Sequence, residues 1–445
     1  MTVWENAMTT LKHVFLSIAL LSPIAALEPA DLSLNRHRMD FRDLGQRGSN
    51  LIEPDDSKIT SLAVDGASGR IYGATSGRRA QIFAFEPSTN HLRPLGALPE
   101  GGGVRNAAVA GKDGAVYFGT GRDMTVAQPL SQDWGSELGR DHISKKMWAD
   151  IEASYKDYGG GHIYRFDPKN WDAARYKANQ NAVVEDLGVP ARGEGVYCMK
   201  MSADGDKLYG ITYPHGKFFV FDLASRQASI IGDTWREVMF SGPRRALRSL
   251  PADLIVDRRG RCYYTSDGGR LAYFDPGTGK LVETAAQIPG EIYPIHAGSE
   301  PFHPYVETWT GGPGGEIYGG TNDGYVFRLD SDTQKLTNLG KPRITRRVRG
   351  LAVAADGRLY GLAGEDHIIC TLFCYDPKDG GYTHFGPVDV DETPYYAWRP
   401  QRFGAMITGL DGTIYFGEED RRGHLFFLFP PLREPSELSG AATHK

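Results

Sequence analysis

Two histidines twenty residues apart, His142 and His162, a tyrosine at Tyr213, and the arginines Arg105, Arg248 and Arg349 are the residues whose types could move a proton beside an anion. An imidazole can take a proton near neutrality and a phenol can give or take one. A guanidinium neutralises a carboxylate and does not itself titrate. Together they suit abstraction of a proton next to a carboxylate, with the cation holding the charge that develops. Singly, an exposed histidine or a strand tyrosine is more often structural, so the argument rests on whether the fold gathers them on one ligand-facing surface.

Other chemistries find little support. The chain has no phosphate-cradling glycine loop, no zinc-protease helix and no nucleophile elbow. A formal net charge of -5 gives no polyanion-binding signature for the whole chain, and no nucleic-acid partner is expected. Any attraction for an acidic substrate must be local.

The elements that position these residues come from a repeat. One phrase returns seven times: an apolar strand, an Asp/Gly turn, a strand ending in Tyr-Gly or Tyr-Phe-Gly, and an alternating strand that commonly closes on Asp-Pro. A short strand ending in Leu-Gly often follows. ITSLAVDGASGRIYGATSG with QIFAFEP and LRPLG is the first unit, and AMITGLDGTIYFGEED with HLFFLFP the seventh. Fifty-five glycines and 22 tyrosines fit short strands and tight turns. Four strands in a unit of about 40 residues predict an all-β, seven-bladed β-propeller over 38–432, with 433–445 as a tail. The seventh unit lacks its last strand, and Asp40–Gly45 (DFRDLG) supplies a stray one, which predicts ring closure by the N-terminal segment.

Within such a ring, the connections from second to third strand and from blade to blade share one face. One of them, Thr120–Gly161, is expanded to about 40 residues, with the insert proper over 122–160. Ile143, Met147, Trp148, Ile151 and Tyr155 at helical spacing predict a short helix over the mouth. His142 stands at its start, where the helix dipole disfavours an imidazolium. Aligning third strands puts Gln81, His162, Lys217, Arg270, Tyr325, Thr371 and His424 in register on that face. Aligning first strands gives a column nearer the axis: Thr60, Arg105, Tyr197, Ala252, Arg349 and Phe403. Tyr213 ends the second strand of blade 3, next to Pro214 and His215, where its hydroxyl is expected to face the same cleft as His162.

Lys12-His13, the apolar run Val14–Leu21 and Ala25-Ala26 predict a cleaved signal peptide over 1–26, hence a secreted or periplasmic protein with no membrane span. The four cysteines, Cys198, Cys262, Cys370 and Cys374, are expected as buried free thiols. Positions 370 and 374 on one strand lie roughly 13 Å apart, too far to share a metal ion. No cofactor and no catalytic metal is implied, a structural metal ion stays open, and a monomer is expected.

The arrangement resembles the seven-bladed propeller polysaccharide lyases, the ulvan lyases and related lyases of rhamnose–glucuronate linkages. The resemblance covers the blades and is most specific at His142 and His162, followed by the blade-3 aromatics. It implies β-elimination from a uronic-acid-containing polysaccharide, with His142, His162 and Tyr213 catalytic and Arg105, Tyr197, Arg248 and Arg349 holding substrate; the choice between Tyr197 and Tyr213 stays open. Three alternatives remain: a hydrolase releasing rhamnose from rhamnose–glucuronate ends, a non-catalytic carbohydrate- or protein-binding propeller, and a metal-dependent lactonase-like propeller drawing on Glu307 and Asp253.

Overall fold

The computed structural model describes residues 38–44, 52–122, 153–170, 177–234, 250–291, 303–364, 368–392, 396–420 and 422–431. Seven four-stranded antiparallel sheets form a ring, with the inner strand of each blade beside those of its neighbours and blade 7 beside blade 1. The inner strands, in blade order, are Lys58–Val64, Ala108–Ala110, Gly195–Met201, Ile255–Val256, Val306–Gly311, Val348–Val353 and Phe403–Thr408. A two-stranded hairpin, Val390–Glu392 with Tyr396–Trp398, stands between blades 6 and 7.

The recurrent Tyr-Gly has a packing cause. In blades 1, 3, 5 and 6 the second-strand glycine sits opposite a third-strand phenylalanine: Gly73 and Phe83, Gly210 and Phe219, Gly319 and Phe327, Gly361 and Phe373. A Cβ on Gly73 would stand 2.0 Å from the Phe83 ring, and one on Gly319 2.2 Å from Phe327. Each ring lies over the glycine of its own sheet, so any larger residue there would expel it. Alternation sends the remaining apolar side chains between sheets, as in the cluster of Tyr72, Ile82, Val116, Phe118, Phe166 and Phe219.

The ring closes as expected. Arg38–Asp43 pairs antiparallel with His424–Phe429 as the outermost strand of blade 7, Asp43 opposite His424. His424 is fully buried. Its Nε2 lies 2.7 Å from Asp43 Oδ1 and its Nδ1 meets Glu418 Oε2, while Trp398 Nε1 donates to Glu418 Oε1 at 2.7 Å. Burial alone would lower the imidazole pKa. The two carboxylates outweigh it and raise the value to about 9. All four cysteines are buried free thiols, and no helix among the described residues is long and apolar enough to cross a membrane.

This latch predicts a pH dependence. A histidine whose pKa rises on folding contributes stability that is complete below its unfolded value of 6.5 and is lost as pH rises through about 9. The amount is on the order of 3 kcal/mol. Melting temperature measured across that window should fall in the wild type, and Asp43→Asn should lower stability at neutral pH and flatten the fall.

Candidate functional site

The face carrying the insert is the one on which the inner strands begin. Five of those strands change register near their start, skipping Thr60, Tyr197, Glu307, Arg349 and Gly404. Each skipped residue is the extra member of a β-bulge, a device that re-aims a side chain out of the ladder. In blade 2 the same place is taken by Arg105 and by Asn106, whose φ of 44° lies in the left-handed region. The bulges and this turn encircle the axis. Thr60, Arg105, Asn106, Glu307, Arg349, Phe403, Gly404 and Glu419 line a small cavity of about 20 Å³ there.

Its charges are nearly, but not fully, balanced. Arg347 pairs with Glu307 through both Nε, at 3.1 Å, and NH2. Arg349 has NH1 3.9 Å from Glu419 Oε2 and donates from Nε to the Gly364 carbonyl at 3.2 Å. Burial would raise the Glu307 carboxyl, but Arg347, Arg349 and Arg105 hold it below the usual range. Arg105 is 9% exposed; among the described residues its Nε has no hydrogen-bond partner and its guanidinium forms no ion pair. What it does have is the Tyr197 ring, 5.1 Å from its guanidinium carbon. Burial disfavours its charge, and Tyr197, Glu419 and Glu307 more than offset that. Three arginines therefore face two glutamates at the mouth, and the surplus cation is the one without a carboxylate.

From Arg105 a row of rings runs outward. Tyr197 stacks on Tyr213 at 5.7 Å between centroids, Tyr213 meets Tyr155 edge-on at 5.6 Å, and Tyr155 meets Tyr158 at 5.2 Å. Tyr155 belongs to a helical turn at 153–155, so the described end of the insert packs onto blade 3 through this row. Tyr213 is 2% exposed, and its hydroxyl is shut off from solvent rather than open to a cleft, because the insert covers it. Burial raises the Tyr197 phenol, against the opposing pull of Arg105, and so keeps it protonated.

His162 stands further out, just before the third strand of blade 2. Its Nδ1 lies 3.0 and 2.9 Å from the two oxygens of Asp186, its Nε2 lies 3.5 Å from Glu100 Oε2, and its ring stacks on Tyr164. The ring row ends nearby, since burial and then Glu100 push the Tyr158 phenol up to about 12. The structure thus brings together Arg105, Tyr197 and Tyr213, places Arg349 across the mouth from them, and sets His162 at the rim. His142 and Arg248 lie outside the described residues. Ala252 is buried, and its carbonyl accepts Asn106 Nδ2 at 2.8 Å rather than reaching the mouth.

Several groups here were missed by aligning strands. Glu307, Arg347 and Glu419 complete the mouth. Beside Tyr213, buried Glu194 accepts the Thr212 hydroxyl at 2.9 Å and the His215 backbone N–H at 3.1 Å, and pairs with His215 Nδ1. The only sequence signal for that pair was TYPH at the end of a second strand. Among the described residues no three His, Cys, Asp or Glu side chains gather as a metal site.

No family profile matches this sequence, and no curated protein matches it. Solved propellers do match in fold. The extracellular domain of BT4673 from B. thetaiotaomicron is 14% identical with a TM-score of 0.54, over 89% of this chain and 41% of that one. The Cps50 (Swd1) propeller domain of Myceliophthora thermophila is 10% identical with a TM-score of 0.50, over 88% of this chain and 100% of that one. A streptogramin B lyase is 12% identical with a TM-score of 0.49, over 88% and 98%. At these identities the likeness is one of fold.

Breaking a buried pair costs far more than removing an unpaired buried charge. Glu307→Gln should therefore cost about 3 kcal/mol in denaturant unfolding, by stranding Arg347. Arg105→Met should leave stability unchanged or raise it by about 1 kcal/mol, which would mark Arg105 as kept for a ligand.

Proposed function

We propose that this protein is a secreted or periplasmic lyase that cleaves a uronic-acid-containing polysaccharide, of the ulvan-like rhamnose–glucuronate kind, by β-elimination at the insert-side mouth. The observation that carries the reading is Arg105: a buried cation without a carboxylate, lying against a protonated phenol, at the opening of the ring. An anionic group on the ligand supplies what the protein withholds. Arg349 stands across the same cavity, and Arg248 is assigned to substrate binding on the resemblance alone.

In this reading Arg105 neutralises the uronate carboxylate and so makes the C5 proton removable. A histidine, His162 or His142, takes that proton. The C5–H electrons form the C4=C5 double bond, the C4–O bond breaks, and a tyrosine returns a proton to the leaving oxygen. Tyr197 is the phenol nearest Arg105, and Tyr213 stacks behind it. His162 must give up its Glu100 contact to act, and Glu100, 72% exposed, is free to swing.

One observation favours a second reading, a non-catalytic receptor for acidic glycans: both ring nitrogens of His162 already face carboxylates. The two readings separate on product. A lyase forms an unsaturated uronate that absorbs in the ultraviolet. His162→Ala should then lower the rate about 10²-fold or more with little change in binding, and Tyr197→Phe against Tyr213→Phe should identify the acid. Folded protein that binds an ulvan-type glycan with no rise in absorbance and no release of rhamnose would leave only the receptor.

A further inference from the structure

Behind the mouth, toward the face away from the insert, the axial channel widens into a cavity of about 400 Å³. That is the size class of small-molecule sites, which are mainly apolar with a few placed polar groups. It is lined chiefly by the later halves of the inner strands, with Asn106, Arg349 and Gly404 at its mouth-side end. Leu62, Met201, Leu254 and Met406 give it an apolar wall, and Ser61, Thr308, Thr310 and Thr408 bring hydroxyls.

Its charged groups are Lys200, Asp253 and Arg349, the last shared with the mouth and paired there with Glu419. The ammonium lies 3.0 Å from Asp253 Oδ1, yet the lysine side chain is 37% exposed while the aspartate is 6% exposed. Asp253 is shared: Oδ1 also accepts the Leu254 N–H and Oδ2 the Trp309 N–H, both at 2.9 Å. The nearby thiols of Cys198 and Cys262 are raised by burial and stay neutral, so they bring no further negative charge. Lys200 is therefore the half-exposed cation of a lining that mixes hydroxyls and carbon.

We propose that this cavity is a binding site for a monosaccharide-sized sugar acid, its carboxylate on Lys200, its hydroxyls on the serine and threonine side chains, and a carbon face against Met201 and Met406. The site adjoins the mouth, with which it shares Asn106, Arg349 and Gly404, and does not depend on catalysis there. A sugar acid is also what β-elimination of a uronate chain would release at its end, so the channel could retain such a product.

Titration calorimetry of the full chain with D-glucuronate and with D-glucose tests this. Glucuronate should bind and glucose should bind at least tenfold more weakly or not at all. Thr310→Phe, which fills the cavity from a half-buried position, and Lys200→Met should each weaken glucuronate at least tenfold, while Arg105→Met removes only binding at the mouth and keeps the Lys200-dependent binding. If Lys200→Met does not fold, Thr310→Phe decides. No glucuronate binding by the wild type, binding unchanged in Thr310→Phe, or loss in Arg105→Met alone would overturn the proposal; the last would move the ligand to the mouth.

Discussion

One extra residue in an inner strand is the constraint on which the site depends. A regular strand alternates its side chains between the two faces of its sheet. At Thr60, Tyr197, Glu307, Arg349 and Gly404 the register slips, and the spare residue no longer has a place in that alternation. Because the slip falls near the same end of each strand, the spare residues form one ring at one opening. Left-handed backbone at Asn106 and Arg347 does equivalent work where the bulge is missing or already used. Such conformations cost non-glycine residues of the order of 1 kcal/mol each and persist where the surroundings over-determine them. At Arg347 the two-point pairing with Glu307 provides that surplus.

Electrostatics then separates architecture from function. Ion pairs buried this deeply contribute little net stability, because desolvation consumes most of the attraction. Arg347 with Glu307 and Arg349 with Glu419 are best understood as a fixed frame that holds a field in place. Arg105 is the member the frame does not neutralise. A ring selected for stability alone would have an apolar residue there, stacked on Tyr197 as a methionine or leucine would be.

The blades were legible in the sequence because their signals are local. Period-two alternation, Asp/Gly turns and the Tyr-Gly demanded by the overlying phenylalanine each act within one sheet. The closing strand was legible for a related reason: one unit was short by a strand, and DFRDLG had no unit of its own. The mouth was only half legible. Arg105, Tyr197 and Arg349 followed from strand alignment, but a bulge shifts the count by one, which drew attention to Phe403 where Gly404 is the spare residue. Glu307 was noticed as an acidic residue and not as the partner of Arg347, since that pairing crosses blades. The carboxylates around His162 come from Asp186 and Glu100, on different strands and loops, and no spacing rule points to them.

The closing strand also bears on how the molecule is made. Arg38–Asp43 is among the first described stretches to be synthesised, and its partner His424–Phe429 among the last. Contacts between such distant positions are the slowest to form. Until blade 7 emerges, the earlier blades can stack only as an open arc, and once its third strand appears that strand lacks a neighbour until Arg38–Asp43 pairs with it. The nascent protein therefore carries an adhesive edge that its own beginning must cover, and a cell making it in quantity would gain from keeping that first segment solvated and unengaged until the end of translation.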